Sequence, residues 1–326
     1  MPYLIVLIGL AFIYGYLNGQ YGSASVVSAM ISSRSIHPRL ALLLTAVGMG
    51  LGPFVLGSAV AATVADGLVQ AGSINFAVVI AALGGAILWS LFTLWLKIPV
   101  SMSQGLFGGL IGAAWVGFGH EIILIAGITK LVAGLFLSPF LGLICGFAAM
   151  HLCYALTASA TPHMNIWFQR GQILVSFIMA MAFGSNDAQK LMGAIVLGLV
   201  TLNMLTPTQL PGWVIAFSAS ALCAGTLVGG WRLIHTMGGK FYKIRPIHGF
   251  GAQAASAGVI MGAGLLGWPV SGSQVVTSAI IGAGSADRLQ KVRWGVVQQI
   301  AIGWLLTMPM TGLVSALLYH LIKGLI

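Results

Sequence analysis

The chain of 326 residues is too apolar for a water-soluble protein: 59% of its residues are hydrophobic, 6% are charged, and its mean hydropathy is +1.02. A soluble fold needs a polar exterior, so these values exclude a soluble enzyme and a soluble nucleic-acid-binding domain, although the net charge is +10. The basic residues are scattered through short connecting stretches, which is typical of orientation signals in membrane proteins. We therefore expect an integral, multi-pass membrane protein that binds no nucleic acid.

Apolar stretches long enough to cross a hydrocarbon layer of ~30 Å recur along the whole chain. Clear examples lie at 40–64, 75–96, 125–150, 212–235 and 294–318. Together with shorter pieces they predict an all-α polytopic protein of about 10–12 apolar segments. The first apolar stretch lacks a basic region and a cleavage site, so we expect it to be a retained span. The absence of a soluble domain favours a bacterial inner (plasma) membrane.

Two apolar stretches are interrupted by polar residues. The sequence NGQYGS lies at 18–23, and GSNDAQK lies at 184–190, each with apolar residues on both sides. Irregular backbone at membrane depth is tolerated where it lines a cavity or is buried in protein. We therefore expect broken helices at these two places.

An internal repeat divides the chain. The hexapeptide Pro-Val-Ser-x-Ser-Gln occurs at 99–104 and again at 269–274, an offset of 170 (269 minus 99). Pro139 and Pro309 are related by the same offset. Such self-similarity indicates two copies of one module.

The two predicted halves, 1–160 and 161–326, point in opposite directions according to their loop charges. In each of the corresponding pairs of loops, one member is basic and the other is not, as the positive-inside bias requires of inverted copies. The basic loops, which we place in the cytoplasm, are 34–39, 236–247 and 287–293. Inverted repeats are characteristic of secondary transporters, whose binding site lies at the repeat interface near the midplane.

Each hexapeptide precedes a short apolar piece, 105–118 in the first half and 275–286 in the second. These pieces are too short to span comfortably, which indicates re-entrant half-helices. A serine at a helix N-terminus caps free N–H groups, and these groups together with the helix dipole favour an anion. The alternative is that the serines only cap or pack their helices, but duplication favours an anion site. The candidate anion-binding residues are Ser101, Ser103, Gln104, Ser271, Ser273 and Gln274, together with Ser23 and Lys190.

Asp187 is the only acid in a predicted intramembrane stretch, since Asp66, Glu121 and Asp287 fall in predicted loops. A carboxylate at membrane depth costs about 2.5–3.5 kcal/mol and is a functional hypothesis by default. It could bind a small hard cation with neighbouring amide oxygens, or carry a proton; alternatively Lys190 neutralises it as a structural pair or faces the anion. The candidate cation-coupling residues are Asn18, Asn186, Asp187, Gln189 and Gln253, with Na⁺ near Asp187 as the candidate ion.

Several motifs resemble the inorganic phosphate transporter (PiT) family. They are GSNDAQKLMG at 184–193, PIHGFGAQAAS at 246–256, GWPVSGSQVVTSAIIGAG at 267–284 and IPVSMSQGLFGGLIGA at 98–113. The resemblance implies an inverted-repeat fold that moves phosphate together with Na⁺ or H⁺. It also implies that the paired serines bind the anion and that the Asn-Asp motifs contribute to cation sites. Some members of the wider family carry sulfate instead.

The sequence also departs from the pattern that the resemblance implies. A glycine stands where the first half should have its acid, a serine where an asparagine is expected, and glutamines where a histidine or an acid is usual. These positions are Gly22, Ser25, Gln104, Gln274 and Gln253. Four of the five departures, all except Ser25, remove negative or titratable groups. We therefore expect at least one cation site to be weakened or absent, with coupling to one ion or proton through Asp187, or else a changed anion such as sulfate.

The predicted function is a secondary transporter of inorganic phosphate coupled to Na⁺ or H⁺. A sulfate permease of the same family and an uncoupled anion channel are the alternatives. A membrane-embedded enzyme is disfavoured, because a single acid without a Cys/His pair or metal-ligand spacing gives little chemistry. Apart from the coupling ion we expect no cofactor, and the expected partners are the anion, the lipid bilayer and, as one option, a second copy of the chain in a homodimer.

Overall fold

A computed structural model describes residues 2–57, 59–66, 73–159 and 163–324, and twelve α-helices form almost all of the regular structure in these ranges. This confirms the all-α prediction. The helices are α1 (Pro2–Ser32), α2 (Pro38–Val55), α3 (Ala59–Asp66), α4 (Phe76–Trp95), α5 (Met102–Phe118), α6 (Ile125–Leu156), α7 (Met164–Thr201), α8 (Gly212–Val228), α9 (Trp231–Gly239), α10 (Pro246–Leu265), α11 (Gly272–Asp287) and α12 (Trp294–Ile322).

Within the described residues, six helices are long and apolar enough to cross a membrane, namely α1, α2, α4, α6, α7 and α12. A seventh span is formed if α8 and α9, which meet at a bend of 70°, are taken as one broken segment. Large apolar side chains stand on the exposed faces of these helices, as Phe140 (61% exposed) does on α6 and Leu305 (59% exposed) on α12. In lipid such faces are solvated by acyl chains, so the structure is that of a multi-pass membrane protein.

The helices fall into two series of similar length and similar packing. The first series, α1 to α6, has 31, 18, 8, 20, 17 and 32 residues. The second, α7 to α12, has 38, 17, 9, 20, 16 and 29 residues. The contacts are reciprocal as well: α1 packs on α8 and α7 on α2, while α5 packs on α12 and α11 on α6. Each series therefore completes its packing only against the other.

The predicted helix breaks at 18–23 and 184–190 are wrong. Both stretches lie inside continuous helices, α1 and α7, because a helix satisfies its own backbone N–H and C=O groups at membrane depth. The small residues in these stretches serve close helix packing instead. A Cβ on Gly184 would lie 2.4 Å from the Cα of Met49, so this glycine allows α7 to approach α2. The breaks lie elsewhere, at 229–230 within the apolar stretch 212–235 and between α2 and α3 within 40–64.

The three basic loops come together at one end of the molecule. The main-chain N–H of Arg293 donates to the carbonyl of Phe241 (3.1 Å), which joins the loop before α10 to the loop before α12. The hydroxyls of Ser33 and Ser35, in the loop after α1, both donate to Oε1 of Gln172 (2.9 and 2.6 Å). Gln172 in turn lies against Gly249 at the start of α10, where an added Cβ would be 2.1 Å from its Nε2. One shared end is what the loop charges predict for 34–39, 236–247 and 287–293, and the cytoplasmic side stays a prediction.

Close backbone contact holds α6 against α11. Gly142 and Gly146, four residues apart on α6, face the carbonyl oxygens of Val275 and Ala279, and an added Cβ would lie 2.3 Å from each oxygen. Small residues at this spacing let two membrane helices approach closely, where packing and weak hydrogen bonds replace the hydrophobic effect. The sequence LGLICG at 141–146 therefore fixes the position of α11, the helix that Ser271 begins.

Gly142→Ala is expected to destabilise the protein by about 1–3 kcal/mol, because the new methyl group overlaps a main-chain oxygen that cannot move aside. Thermal unfolding of the purified protein in detergent checks this. Gly262→Ala on α10 is the matched control, since nothing lies within 4 Å of a Cβ at that position. Equal unfolding temperatures for the two variants would contradict the packing argument.

Candidate functional site

The N-termini of α5 and α11 meet at the two repeated hexapeptides. Ser101 is the N-cap of α5 and accepts a hydrogen bond from the N–H of Gln104 (3.2 Å). Ser271 is the N-cap of α11 and accepts from the N–H of Gln274 (3.4 Å). The hydroxyl of Ser271 also donates to the hydroxyl oxygen of Ser101 (2.8 Å). The structure therefore confirms both predicted caps and joins the two half-helices at their first residues.

Both half-helices are reached through the same kind of turn. Lys97 follows α4 with φ of 62°, and Gly267 follows α10 with φ of 65°, so each helix ends in the left-handed region. The N–H of Ile98 then bonds to the carbonyl of Thr93 (3.0 Å), as that of Trp268 does to Ala263 (2.9 Å). This six-to-one bond is the Schellman ending of a helix. The pairs α4–α5 and α10–α11 are thus equivalent helical hairpins, and their tips are the hexapeptides.

Two helix N-termini that meet at one point favour a negatively charged group between them. Each brings partial positive charge from N–H groups that have no partner within their own helix. Two such ends repel each other unless an acceptor lies between them. Serine hydroxyls satisfy some of these groups, and an oxyanion would satisfy more.

Lys190 connects both tips to Asp187. Its ammonium group is fully buried and donates to Oδ1 of Asp187 (2.8 Å), to the hydroxyl of Ser103 (2.7 Å) and to the carbonyl of Val270 (2.7 Å). Ser103 lies in the first turn of α5 and Val270 in the turn before α11, so the lysine on α7 reaches one residue of each hairpin. Among the described residues, Asp187 is the only buried acid and Lys190 the only buried lysine or arginine. Lys190 therefore pairs with Asp187, one of the roles that the sequence left open, and it also contacts Ser103 of the first hexapeptide.

The two amide side chains near Asp187, those of Asn186 and Gln189, make different contacts. Asn186 approaches the carbonyl of Val270 through Nδ2 (3.5 Å), and its buried Oδ1 has no hydrogen-bond partner among the described residues. Gln189 has both ends occupied: Oε1 accepts from the N–H of Val60 (2.7 Å) at the start of α3, and Nε2 donates to Ser185 (2.9 Å). Asn186 thus lies at the hairpin tip, whereas Gln189 is hydrogen-bonded to the start of α3.

Three other candidates are not brought to the tips by any described contact. Ser23 donates to the carbonyl of Gln20 (2.7 Å) and accepts from the N–H of Gly230 (3.1 Å), at the break between α8 and α9. Gln253 is held by the hydroxyl of Ser176 (2.7 Å) and by the carbonyl of Val26 (2.9 Å). Asn18 is buried on α1, and its Nδ2 has no hydrogen-bond partner in the described part of the chain.

The glutamines of the two hexapeptides contact the capping serines through their main-chain N–H groups. Gln104 and Gln274 donate their main-chain N–H groups to the capping serines, while both side-chain Oε1 atoms are buried without a partner among the described residues. Gln104 also lines an apolar groove between α5 and α12 that includes Trp304 and Met308. Ser273 stays at the tip, since its hydroxyl is 3.3 Å from that of Ser271.

Two side chains at the tips were missed by sequence reasoning. The hydroxyl of Tyr14 donates to the carbonyl of Met102 (3.1 Å) in the first turn of α5. The hydroxyl of Ser138 accepts from the N–H of Ser271 (3.1 Å). Ser138 precedes Pro139, which belongs to the repeat, so that position offered a signal. Tyr14 offered none, because it is one of several aromatic residues in an apolar run.

The position of the missing acid in the first half is tightly packed. A Cβ on Gly22 would lie 2.5 Å from Cε of Met49 and 2.9 Å from the ring of Phe183. A carboxylate at this position would need that packing to open. Within the described ranges, no group of three His, Cys, Asp or Glu side chains could hold a metal ion. The buried charged residues of the site, Asp187 and Lys190, therefore both lie on α7, in the second half of the chain.

The chain is similar to known phosphate transporters in sequence and to one solved structure in fold. A family model described as "Phosphate transporter family" matches residues 18–315. The chain is similar to a "Probable low-affinity inorganic phosphate transporter" of Mycobacterium leprae, at 38% identity over 98% of this chain and 79% of that protein. It is also similar to one of Rhizobium meliloti, at 35% identity over 98% and 96%. Among solved structures it is similar to "The sodium-dependent phosphate transporter", with a TM-score of 0.89 and 22% identity over 100% of both chains, a likeness that concerns the fold.

Proposed function

Because this chain belongs to the phosphate transporter family, and is thus a membrane transporter rather than an enzyme, we propose that it binds inorganic phosphate where the tips of α5 and α11 meet. The observation that carries the proposal is the contact between Ser101 and Ser271, which brings two capped helix N-termini to one point. Backbone N–H groups, serine hydroxyls and the nearby ammonium group of Lys190 supply donors for an oxyanion. The relatives named above are described as phosphate transporters, which supports phosphate as the anion.

We also propose that the halves 1–160 and 161–326 are inverted repeats and that transport moves one against the other. The two series of helices, the equivalent hairpin turns and the reciprocal packing support this arrangement. In such transporters the site lies at the repeat interface near the midplane. A bacterial inner membrane as the location and assembly as a homodimer complete the proposal.

Competitive uptake tests the substrate. Purified protein in proteoliposomes should take up labelled phosphate, and unlabelled phosphate should compete far better than unlabelled sulfate. Stronger competition by sulfate would make the protein a sulfate permease. Flux that ignores both Na⁺ and pH gradients would make it an uncoupled anion channel and contradict the coupling proposal.

Coupling is proposed to run through Asp187, the only buried acid among the described residues. Asp187→Asn is expected to remove the response of phosphate uptake to an imposed ion gradient, because the neutral amide neither binds a cation strongly nor exchanges a proton at neutral pH. Initial uptake rates with and without Na⁺ and pH gradients check this. An unchanged response in the variant would move coupling to another group, and Asn75→Ala, at the N-cap of α4, controls for a general loss of amide or carboxyl side chains.

A further inference from the structure

The ammonium group of Lys190 has the surroundings of a bound cation. Its three oxygen partners are a carboxylate, a hydroxyl and a main-chain carbonyl, from Asp187, Ser103 and Val270, all at 2.7–2.8 Å. The three N–H bonds of an ammonium group are thereby all used. The carbonyl belongs to the non-helical turn before α11, and carbonyls of unwound segments are common ligands of coupling ions in transporters.

The charge balance gives a second cation no net attraction here. Asp187 and Lys190 cancel, and no other buried acid exists among the described residues. A Na⁺ ion beside Lys190 would add a second positive charge to a poorly hydrated site whose carboxylate already holds an ammonium group, so it would meet repulsion without net attraction. In this part of the repeat the two halves align at an offset of 165 (187 minus 22, 190 minus 25), so the first-half counterparts of Asp187 and Lys190 are Gly22 and Ser25, which carry no charge. Na⁺ therefore finds no free carboxylate among the described residues, because the one buried carboxylate already holds an ammonium group.

We propose that Lys190 is the resident cation of this transporter: its ammonium group occupies the position that a co-transported Na⁺ would need, so the protein carries no Na⁺. The inference rests on the proposed function for the identity of the anion, but its claim about Na⁺ stands apart from transport. When phosphate enters between the tips, the ammonium group can exchange Ser103 or Val270 for a phosphate oxygen and keep Asp187. The anion is then bound beside a positive charge that never leaves the protein, and the driving ion that remains for coupling is H⁺.

Binding of radioactive Na⁺ to purified protein in detergent, measured by equilibrium dialysis, tests the proposal without transport. The wild-type protein should show no saturable Na⁺ binding. Lys190→Asn should gain one saturable site, because it leaves the carboxylate of Asp187, the oxygens of Ser103 and Val270, and a new amide oxygen around a vacated position. Ser25→Asn, the repeat-related change in the first half, is the matched control and should gain none.

Two results would overturn the proposal. One is saturable Na⁺ binding by the wild-type protein, whether or not Asp187→Asn removes it. The other is a Lys190→Asn protein that elutes as a folded species and binds no Na⁺, which would reduce Lys190 to a structural partner. If Lys190→Asn does not fold, the wild-type measurement alone decides between the outcomes.

Uptake separates this inference from the proposed function. Wild-type phosphate uptake should be the same when Na⁺ is replaced by choline, whereas uptake by Lys190→Asn should fall when Na⁺ is removed. Absence of phosphate uptake under every gradient would refute the proposed function, and the Na⁺-binding results would still decide the role of Lys190. Na⁺-stimulated uptake by the wild-type protein would refute the inference and leave phosphate transport intact.

Discussion

Replacing Ser101 and Ser271 together by alanine is expected to abolish phosphate binding while the protein still folds. Each hydroxyl caps a half-helix, and the two are joined by a hydrogen bond of 2.8 Å, so both lie at the point where the anion is proposed to bind. A hydrogen bond to a charged group is worth about 1.5–3 kcal/mol, so the loss of two weakens binding at least about a hundredfold. The loss of each cap costs about 1 kcal/mol of stability, which a folded domain tolerates.

Binding of labelled phosphate to the purified variant, together with its elution volume, checks both parts of this expectation. Ser285→Ala is the control, because Ser285 lies at the far end of α11 and bonds only to the carbonyl of Ile281 (2.9 Å) in its own helix. It removes a buried hydroxyl from the same helix and should leave binding unchanged. Retained affinity in the double variant, with a normal elution volume, would remove the anion from the hairpin tips.

The hairpin tips were predictable from sequence because they depend on local chemistry. Pro-Val-Ser-x-Ser-Gln specifies a turn, a cap and a helix start within six residues, and its second copy shows that the first is not accidental. Asp187 was predictable because an acid is costly at membrane depth. The helix order followed from apolar length, although the boundaries of α2, α3, α8 and α9 did not.

What the sequence could not show depends on neighbours from distant parts of the chain. The polar stretches at 18–23 and 184–190 are like loops in composition, yet each is helical because other helices surround it and its own backbone bonds are kept. Gln189 and Gln253 are candidate site residues from the sequence, and the structure adds that each has a partner on another helix, Val60 for the first and Ser176 for the second. No local pattern reveals such contacts, which span 129 and 77 positions.

Lys190→Met is expected to destabilise the protein by about 3–5 kcal/mol, because it leaves the carboxylate of Asp187 buried without its partner. Ser103 and Val270 lose a donor in the same change. In Asp187→Asn with Lys190→Met, no charge remains buried at the site, so most of that stability should return. Thermal unfolding of the wild-type protein, both single variants and the double variant gives the coupling energy between the two residues.

Phosphate binding by the same four proteins separates stability from function. The double variant should fold nearly as well as the wild-type protein and yet bind phosphate weakly, because the ammonium group that faces Ser103 is gone. A double variant as unstable as Lys190→Met would show that the two charges do not act as a pair. A stable double variant with wild-type affinity would show that the pair only maintains the structure. Weak binding in a stable protein is the result that places the charge of Lys190 in the anion site itself.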